Sequence, residues 1–198
     1  LKYKECIIMK MKSMWLYILV FLTSTIYPVY SYGNPLAEGK ELPDMELTIP
    51  ENQEHQQYLG ITGEGTFKIP QIKTKVVIIE IFSMYCPHCQ REAPTINEFY
   101  RKIENSKNLK GKVKLIGIGA GNSDFEMEFF KKKYDVPFPL FPDGDFSIHQ
   151  KIGEVRTPYF IGLKILDNGK ATIFYSQLGG PKNAKQFLNR ILKRSGLE

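Results

Sequence analysis

The chain has 198 residues, 42% hydrophobic and 24% charged, which is enough apolar material for one domain with a substantial core and excludes a disordered body. Its formal net charge is +6, but four lysines and one glutamate precede Ser31, which leaves +3 for the remainder. That balance is too mild to imply nucleic-acid binding, and no nucleic acid is expected among the partners.

Lys10 and Lys12 precede an apolar run from Trp15 to Ile26, a positive segment followed by a hydrophobic one shorter than the ~20 residues of a transmembrane helix. Val29 and Ser31 are modest side chains at the positions a signal peptidase reads. Residues 1–31 are therefore expected to be a signal peptide, with an uncleaved N-terminal anchor as the alternative. Export would place the protein in a periplasmic or other extracytoplasmic space. Residues 32–40 contain Gly, Asn and Pro and read as a linker. The expected domain runs from 41 to 198. Its early part, up to Ile69, shows short β-like pieces with glycine turns at Gly60, Gly63 and Gly65.

Val76 to Phe82 is a short, β-branched apolar run and predicts a buried central strand. A helix is predicted from Pro87 to about Ser106, and a second buried strand over Val113–Ile118. Phe125–Tyr134 reads as a helix capped by Ser123 or Asp124. A short extended piece over Phe138–Phe141 and a short helix over Phe146–Ile152 follow. Asp167-Asn168-Gly169 is a hairpin signal between strands at Tyr159–Leu166 and Ala171–Tyr175. Asn183–Lys193 is the closing helix. Alternating strands and helices imply an α/β fold with parallel strands covered by helices, to which the hairpin adds antiparallel ones.

The exported part holds two cysteines, Cys86 and Cys89, at the start of the first long helix. Positions three apart share a helix face, so both sulfurs can meet within disulfide reach, with Cβ atoms about 4.5 Å apart or less. Pro87 suits the first helical turn, where its missing N–H costs nothing. Cys86 as N-cap would feel the free N–H groups and the helix dipole, which favour thiolate over thiol. A protonated His88 would add to that effect and tune the redox poise. Cys86 is then the exposed nucleophile, and Cys89, one turn deeper, resolves the mixed disulfide. A structural disulfide would close too short a loop to restrain much entropy. A zinc site lacks ligands, and no metal is expected.

Glu80-Ile81-Phe82-Ser83-Met84-Tyr85-Cys86-Pro87-His88-Cys89 resembles the active-site segment of the thioredoxin superfamily, and its Pro-His dipeptide is most similar to the DsbA oxidants. The following Glu92-Ala93-Pro94 resembles the TlpA/ResA family of exported thioredoxin-like proteins. Thr157-Pro158 matches the superfamily's cis-proline. About 70 residues separate Cys86 from Pro158. That leaves room for one extra strand–helix unit, as in TlpA-like members, and too little for the helical domain of DsbA. Tyr85 departs from the Trp often found before the first cysteine.

The resemblance implies a thioredoxin-like fold: a central mixed β-sheet flanked by helices, with a β-strand/α-helix insertion and an N-terminal β extension. It implies a thiol–disulfide oxidoreductase whose substrates are protein disulfides or thiols. A membrane or soluble redox partner would reset the pair. No cofactor beyond the Cys86–Cys89 disulfide is expected, and the chain is expected to be a monomer. Pro158 and Thr157 would face the disulfide, and Thr157 and Tyr85 would contact substrate. Glu80, a charge inside an apolar strand, should have a raised pKa and could relay a proton to Cys89. Glu92 is a second acid/base candidate. The dipeptide points to an oxidant or isomerase and the scaffold to a reductase. Two alternatives stand beside this. One is a peroxiredoxin-like peroxidase, although Ser83 occupies the place of its Thr. The other is a copper-binding or redox-sensing protein using Cys86, Cys89 and a histidine such as His149.

Overall fold

The computed structural model describes residues 33–198. The signal peptide expected over residues 1–31, its expected cleavage point and Cys6 lie outside the described residues.

Among the described residues, seven strands and five helices follow in order: β1 (Glu46–Thr48), α1 (Gln53–Leu59), β2 (Thr66–Lys68), β3 (Val76–Phe82), α2 (Pro87–Glu104), β4 (Val113–Ala120), α3 (Asp124–Tyr134), β5 (Leu140–Asp143), α4 (Ser147–Lys151), β6 (Tyr159–Ile165), β7 (Ala171–Leu178) and α5 (Ala184–Ser195). The main sheet has the order β5-β4-β3-β6-β7. β3, β4 and β5 run parallel, while β6 and β7 are antiparallel to their neighbours. The expected central mixed sheet with flanking helices is therefore present.

Every residue of β3 and β4 is buried, as expected of strands covered on both faces. Alternation divides β3 between two layers. Val77, Ile79 and Ile81 face a core shared with Leu47, Phe67 and Ile148. Val76, Ile78 and Phe82 face Ile96 and Phe99 of α2, Phe130 of α3 and Phe187 of α5. Glu80 follows this second alternation and points to the α2 side.

Three local expectations need correction. The segment up to Ile69 is not purely β-like: Asn52 accepts N–H groups of Glu54 and His55, and Gly60 ends α1 at φ 66°. The strand expected over Phe138–Phe141 lies at Leu140–Asp143, with Pro142 inside it, which the sheet's edge tolerates. Phe146 does not begin a helix but sits in the left-handed region, φ 61°, as the N-cap of α4. The segment read as a linker also packs on the domain. Gly39 N–H bonds Ile173 O at 2.8 Å, Ile173 N–H bonds Lys40 O at 2.9 Å, and Leu36 lies against the core. This pairing covers part of the exposed edge of β7.

Candidate active site

The C-terminal ends of β3, β4 and β5, the start of β6 and the end of β7 all lie at one end of the sheet, because Ile81 registers with both Ile118 and Tyr159, and Tyr159 with Leu178. Cys86 sits there, after β3, as the N-cap of α2 in an extended conformation (φ −81°, ψ 113°). Pro87 occupies the first turn. The Cys89 N–H points at Cys86 Sγ at 3.4 Å, and the pair is in the dithiol form. Cys86 is half-buried, whereas Cys89 is fully buried.

The two thiols are driven apart electrostatically. Burial pushes the Cys86 thiol up. Hydrogen bonds from the Cys89 thiol, the Thr157 side chain and the N–H groups of Cys89 and His88 outweigh it and hold the group below its ordinary value. Burial pushes the Cys89 thiol far up, and its hydrogen bond to Cys86 and the charge of Glu80 add to that. The accessible sulfur thus ionises first and the hidden one keeps its proton.

The Thr157–Pro158 bond is cis, and the Thr157 carbonyl lies 3.5 Å from Cys86 Sγ. Pro158 O accepts the Gly179 N–H at 2.8 Å, which ties this loop to the end of β7. Glu80 is 5% exposed, and its pKa is pushed up to about 8, first by burial and then by the charges of Glu92 and Cys86. Glu92 is also raised, chiefly by burial. Its Oε2 is buried without a hydrogen-bond partner beneath Gly180, where an added Cβ would come within 1.4 Å of it.

His88 is exposed. Arg91, which can only donate, reaches His88 Nδ1 at 2.8 Å, so that nitrogen is the acceptor of this contact. The help to Cys86 from this residue comes from its backbone N–H. Tyr85 is 65% exposed and its hydroxyl donates to Glu126, so it is not a packed aromatic. His149 is not brought to the cysteines: its Nε2 lies 2.7 Å from Val155 O, and no three His, Cys, Asp or Glu side chains among the described residues group as metal ligands.

Sequence reasoning missed the supports of the redox loop. Asn122, fully buried, accepts the Met84 N–H at 2.8 Å, and Gln90 Nε2 donates to Met84 O at 2.7 Å. Both backbone groups two residues before Cys86 are thereby fixed. Asn122 lies in a Gly121-Asn122-Ser123 stretch that reads locally as a surface turn, so only tertiary burial marks it.

The AhpC/TSA family model matches residues 39–174. Over 135 residues the chain is 27% identical to the thiol-disulfide oxidoreductase ResA of Bacillus cereus, covering 68% of each chain. The fold is similar to StoA of Bacillus subtilis (TM-score 0.50, 24% identity, 64% of this chain and 88% of that one). It is also similar to a thiol:disulfide interchange protein of the thioredoxin family from Chlorobium tepidum (TM-score 0.56, 15% identity, 81% and 99%).

Proposed function

Because the chain belongs to the AhpC/TSA family, we propose that it is an exported thiol–disulfide oxidoreductase acting on protein disulfides and thiols through Cys86 and Cys89. The ResA-type relatives support the reaction class. The single observation that carries the assignment of residues is the opposed ionisation of the two sulfurs: Cys86 lowered and half-exposed, Cys89 raised and buried. The leader-like segment before Ser31 supports export.

In the reducing direction, the Cys86 thiolate attacks one sulfur of a substrate disulfide and expels the other as a thiolate. Cys89 then loses its proton and attacks Cys86 Sγ, which releases the second substrate thiol. The substrate disulfide becomes two thiols, the protein dithiol becomes a disulfide, and two electrons pass from protein to substrate. The same steps reversed oxidise a dithiol. Thr157 and Pro158 flank the attacked sulfur and give a substrate chain a backbone to lie against. Glu80 shares its face of β3 with the α2 layer and is the group to take the Cys89 proton, with Glu92 coupled to it. A redox partner resets the pair, and its reduction potential against glutathione fixes the direction.

The test is Cys86→Ala, assayed both for reduction of insulin disulfides and for oxidative refolding of a reduced substrate. Loss of whichever activity the wild-type protein shows is expected. Full activity of the variant in both assays would sink the assignment.

A further inference from the structure

The loop that carries Thr157 is held in place by a side chain that bonds neither sulfur. His149 lies on α4, and its Nε2 is 2.7 Å from Val155 O, two residues before Thr157. A carbonyl can only accept, so Nε2 is the donor of this contact. Phe146 stands edge-on to the imidazole, with ring centroids 5.7 Å apart, and keeps it turned toward the loop. The Glu154 N–H bonds His149 O at 2.9 Å, so one residue fixes the loop through both its backbone and its ring.

The helix that presents His149 is itself anchored. Asp143, buried at the end of β5, accepts the N–H groups of Ile148 at 2.9 Å and His149 at 2.8 Å. Asp143 O accepts the Gly121 N–H at 2.9 Å, and the next residue, Asn122, holds the Met84 N–H. Met84 precedes Cys86 by two residues, as Val155 precedes Thr157. The Cys86 thiol in turn reaches the Thr157 carbonyl at 3.5 Å. Hydrogen bonds and short backbone steps thus close a ring, from the Cys86 loop through Asn122, Asp143 and His149 to Thr157 and back. The link from α4 to the Thr157 loop in that ring is the imidazole N–H.

Residues 33–35 cross the same loop from another side. A Cβ added to Gly33 would lie 2.5 Å from Glu154 O, and one added to Gly153 would lie 1.8 Å from Asn34 O. Gly153 and Glu154 are both in the left-handed region, at φ 92° and 52°. A non-glycine residue stays there when its surroundings impose it. The His149 ring and the crossing chain do so together.

We propose that His149 is a positioning residue for thiol–disulfide exchange: its Nε2–H fixes Val155 and so sets the place of Thr157 beside Cys86. The proposal rests on the redox reading above and adds a residue that acts through the loop. Burial pushes the Cys86 thiol up, and the Cys89 thiol and the Thr157 side chain lead the groups that bring it down. A Thr157 that drifts away therefore leaves Cys86 protonated to higher pH.

Three substitutions separate the hydrogen bond from occupancy of the site. His149→Gln keeps an N–H donor at the reach of Nε2. His149→Asn keeps an amide that falls one bond short, and His149→Phe keeps a ring without a donor. The reduced full chain of each is alkylated with iodoacetamide across pH, and the rate at Cys86 is read by mass spectrometry of its peptide. The midpoint should be that of the wild type in His149→Gln. It should rise by about one pH unit in His149→Asn and His149→Phe, a tenfold loss of thiolate at lower pH. A wild-type midpoint in a variant lacking the donor, or a rise in His149→Gln as large as theirs, would overturn the proposal. Should His149→Phe fail to fold, His149→Asn carries the comparison. Nitrogen NMR of the wild-type imidazole tests the same contact without any variant: a proton on Nε2 is expected, and a ring protonated on Nδ1 alone would overturn the proposal. Full insulin reduction and refolding activity in Cys86→Ala would instead overturn the redox reading. The alkylation profiles involve no disulfide and would still decide what holds Thr157.

Discussion

At the scale of single residues, the site depends on groups whose protonation the fold has moved. Glu80 is the sharpest case. Its carboxyl titrates at about 8 in the folded chain because burial disfavours the anion. A carboxyl raised on folding contributes stability that is full below its unfolded pKa and is lost as pH rises through the folded one. Stability should therefore fall by up to about 5 kcal/mol as pH rises from about 4.5 to 8, where the unfolded carboxyl ionises and the folded one keeps its proton. Glu80→Gln should remove that pH dependence, as denaturant titrations of the oxidised protein at pH 5 and pH 9 would reveal. The oxidised form removes the titration of the thiols, and with it the smaller part of the Glu80 shift that the Cys86 charge supplies, leaving the part due to burial. Kinetics should show the opposite sign. Glu80 accepts the Cys89 proton only when ionised, so resolution of the mixed disulfide should accelerate as pH rises through about 8. The variant should lose that inflection and slow on the order of 100-fold. An unchanged pH profile in Glu80→Gln would remove Glu80 from the mechanism.

The cysteines, Pro158 and Glu80 were legible because each breaks a local pattern. Two thiols open a helix, a Thr-Pro precedes a strand, and one acid interrupts an apolar run. The direction of the His88 ring was not legible, because its partner Arg91 lies one helical turn on and the choice between solvent, sulfur and guanidinium is rotameric.

At the scale of elements, the long periodic segments were readable and the short ones were not. β3, β4, α2, α3 and α5 have continuous apolar runs or amphipathic stripes and caps, and all are found near their expected bounds. α1 escaped because its seven residues bury only Leu59, so no apolar stripe exists to read. Its signals were Asn52 at the N-cap and Gly60 beyond the C-terminus. Packing of residues 33–40 was equally hidden. Gly153, at φ 92°, lets the chain pass so close that a Cβ there would come 1.8 Å from Asn34 O, and nothing local in the sequence marks such a crossing.

The joint between elements that matters most is Asn122, which ties the β4–α3 junction to the loop before Cys86. Asn122→Ala would leave the Met84 N–H without its partner in a partly buried setting. It should destabilise the chain by about 2 kcal/mol in denaturant unfolding. It should also slow attack by Cys86, because the loop that orients the N-cap loses its anchor. A variant with native stability and rate would show that Gln90 alone holds the loop.

At the scale of the whole molecule, function follows from where the strands end. Parallel β3, β4 and β5 send their connections to one end, and the antiparallel β6–β7 pair brings the cis-proline and Leu178 to the same place. One sheet therefore gathers a nucleophile, a resolving thiol and a buried acid beside the cis-proline loop, with Cys86 and Pro158 about 70 residues apart in the chain. The alternation of strands and helices foretold this topology, since parallel crossovers need helices and a tight turn needs a hairpin. The exposed apolar side chains could not be foretold, because an apolar residue in a sequence is expected inside and only the completed fold shows Phe125 and Leu178 left outside.

The central claim is that Cys86 makes the bond with substrate and Cys89 breaks it. Trapping measures this directly. Reduced Cys89→Ser protein is mixed with a disulfide-containing polypeptide and resolved without reductant, and the site of any adduct is mapped by mass spectrometry. A persistent mixed disulfide on Cys86 is predicted, with none formed by Cys86→Ser under the same conditions. Adducts of equal yield in both variants, or none in either, would contradict the account.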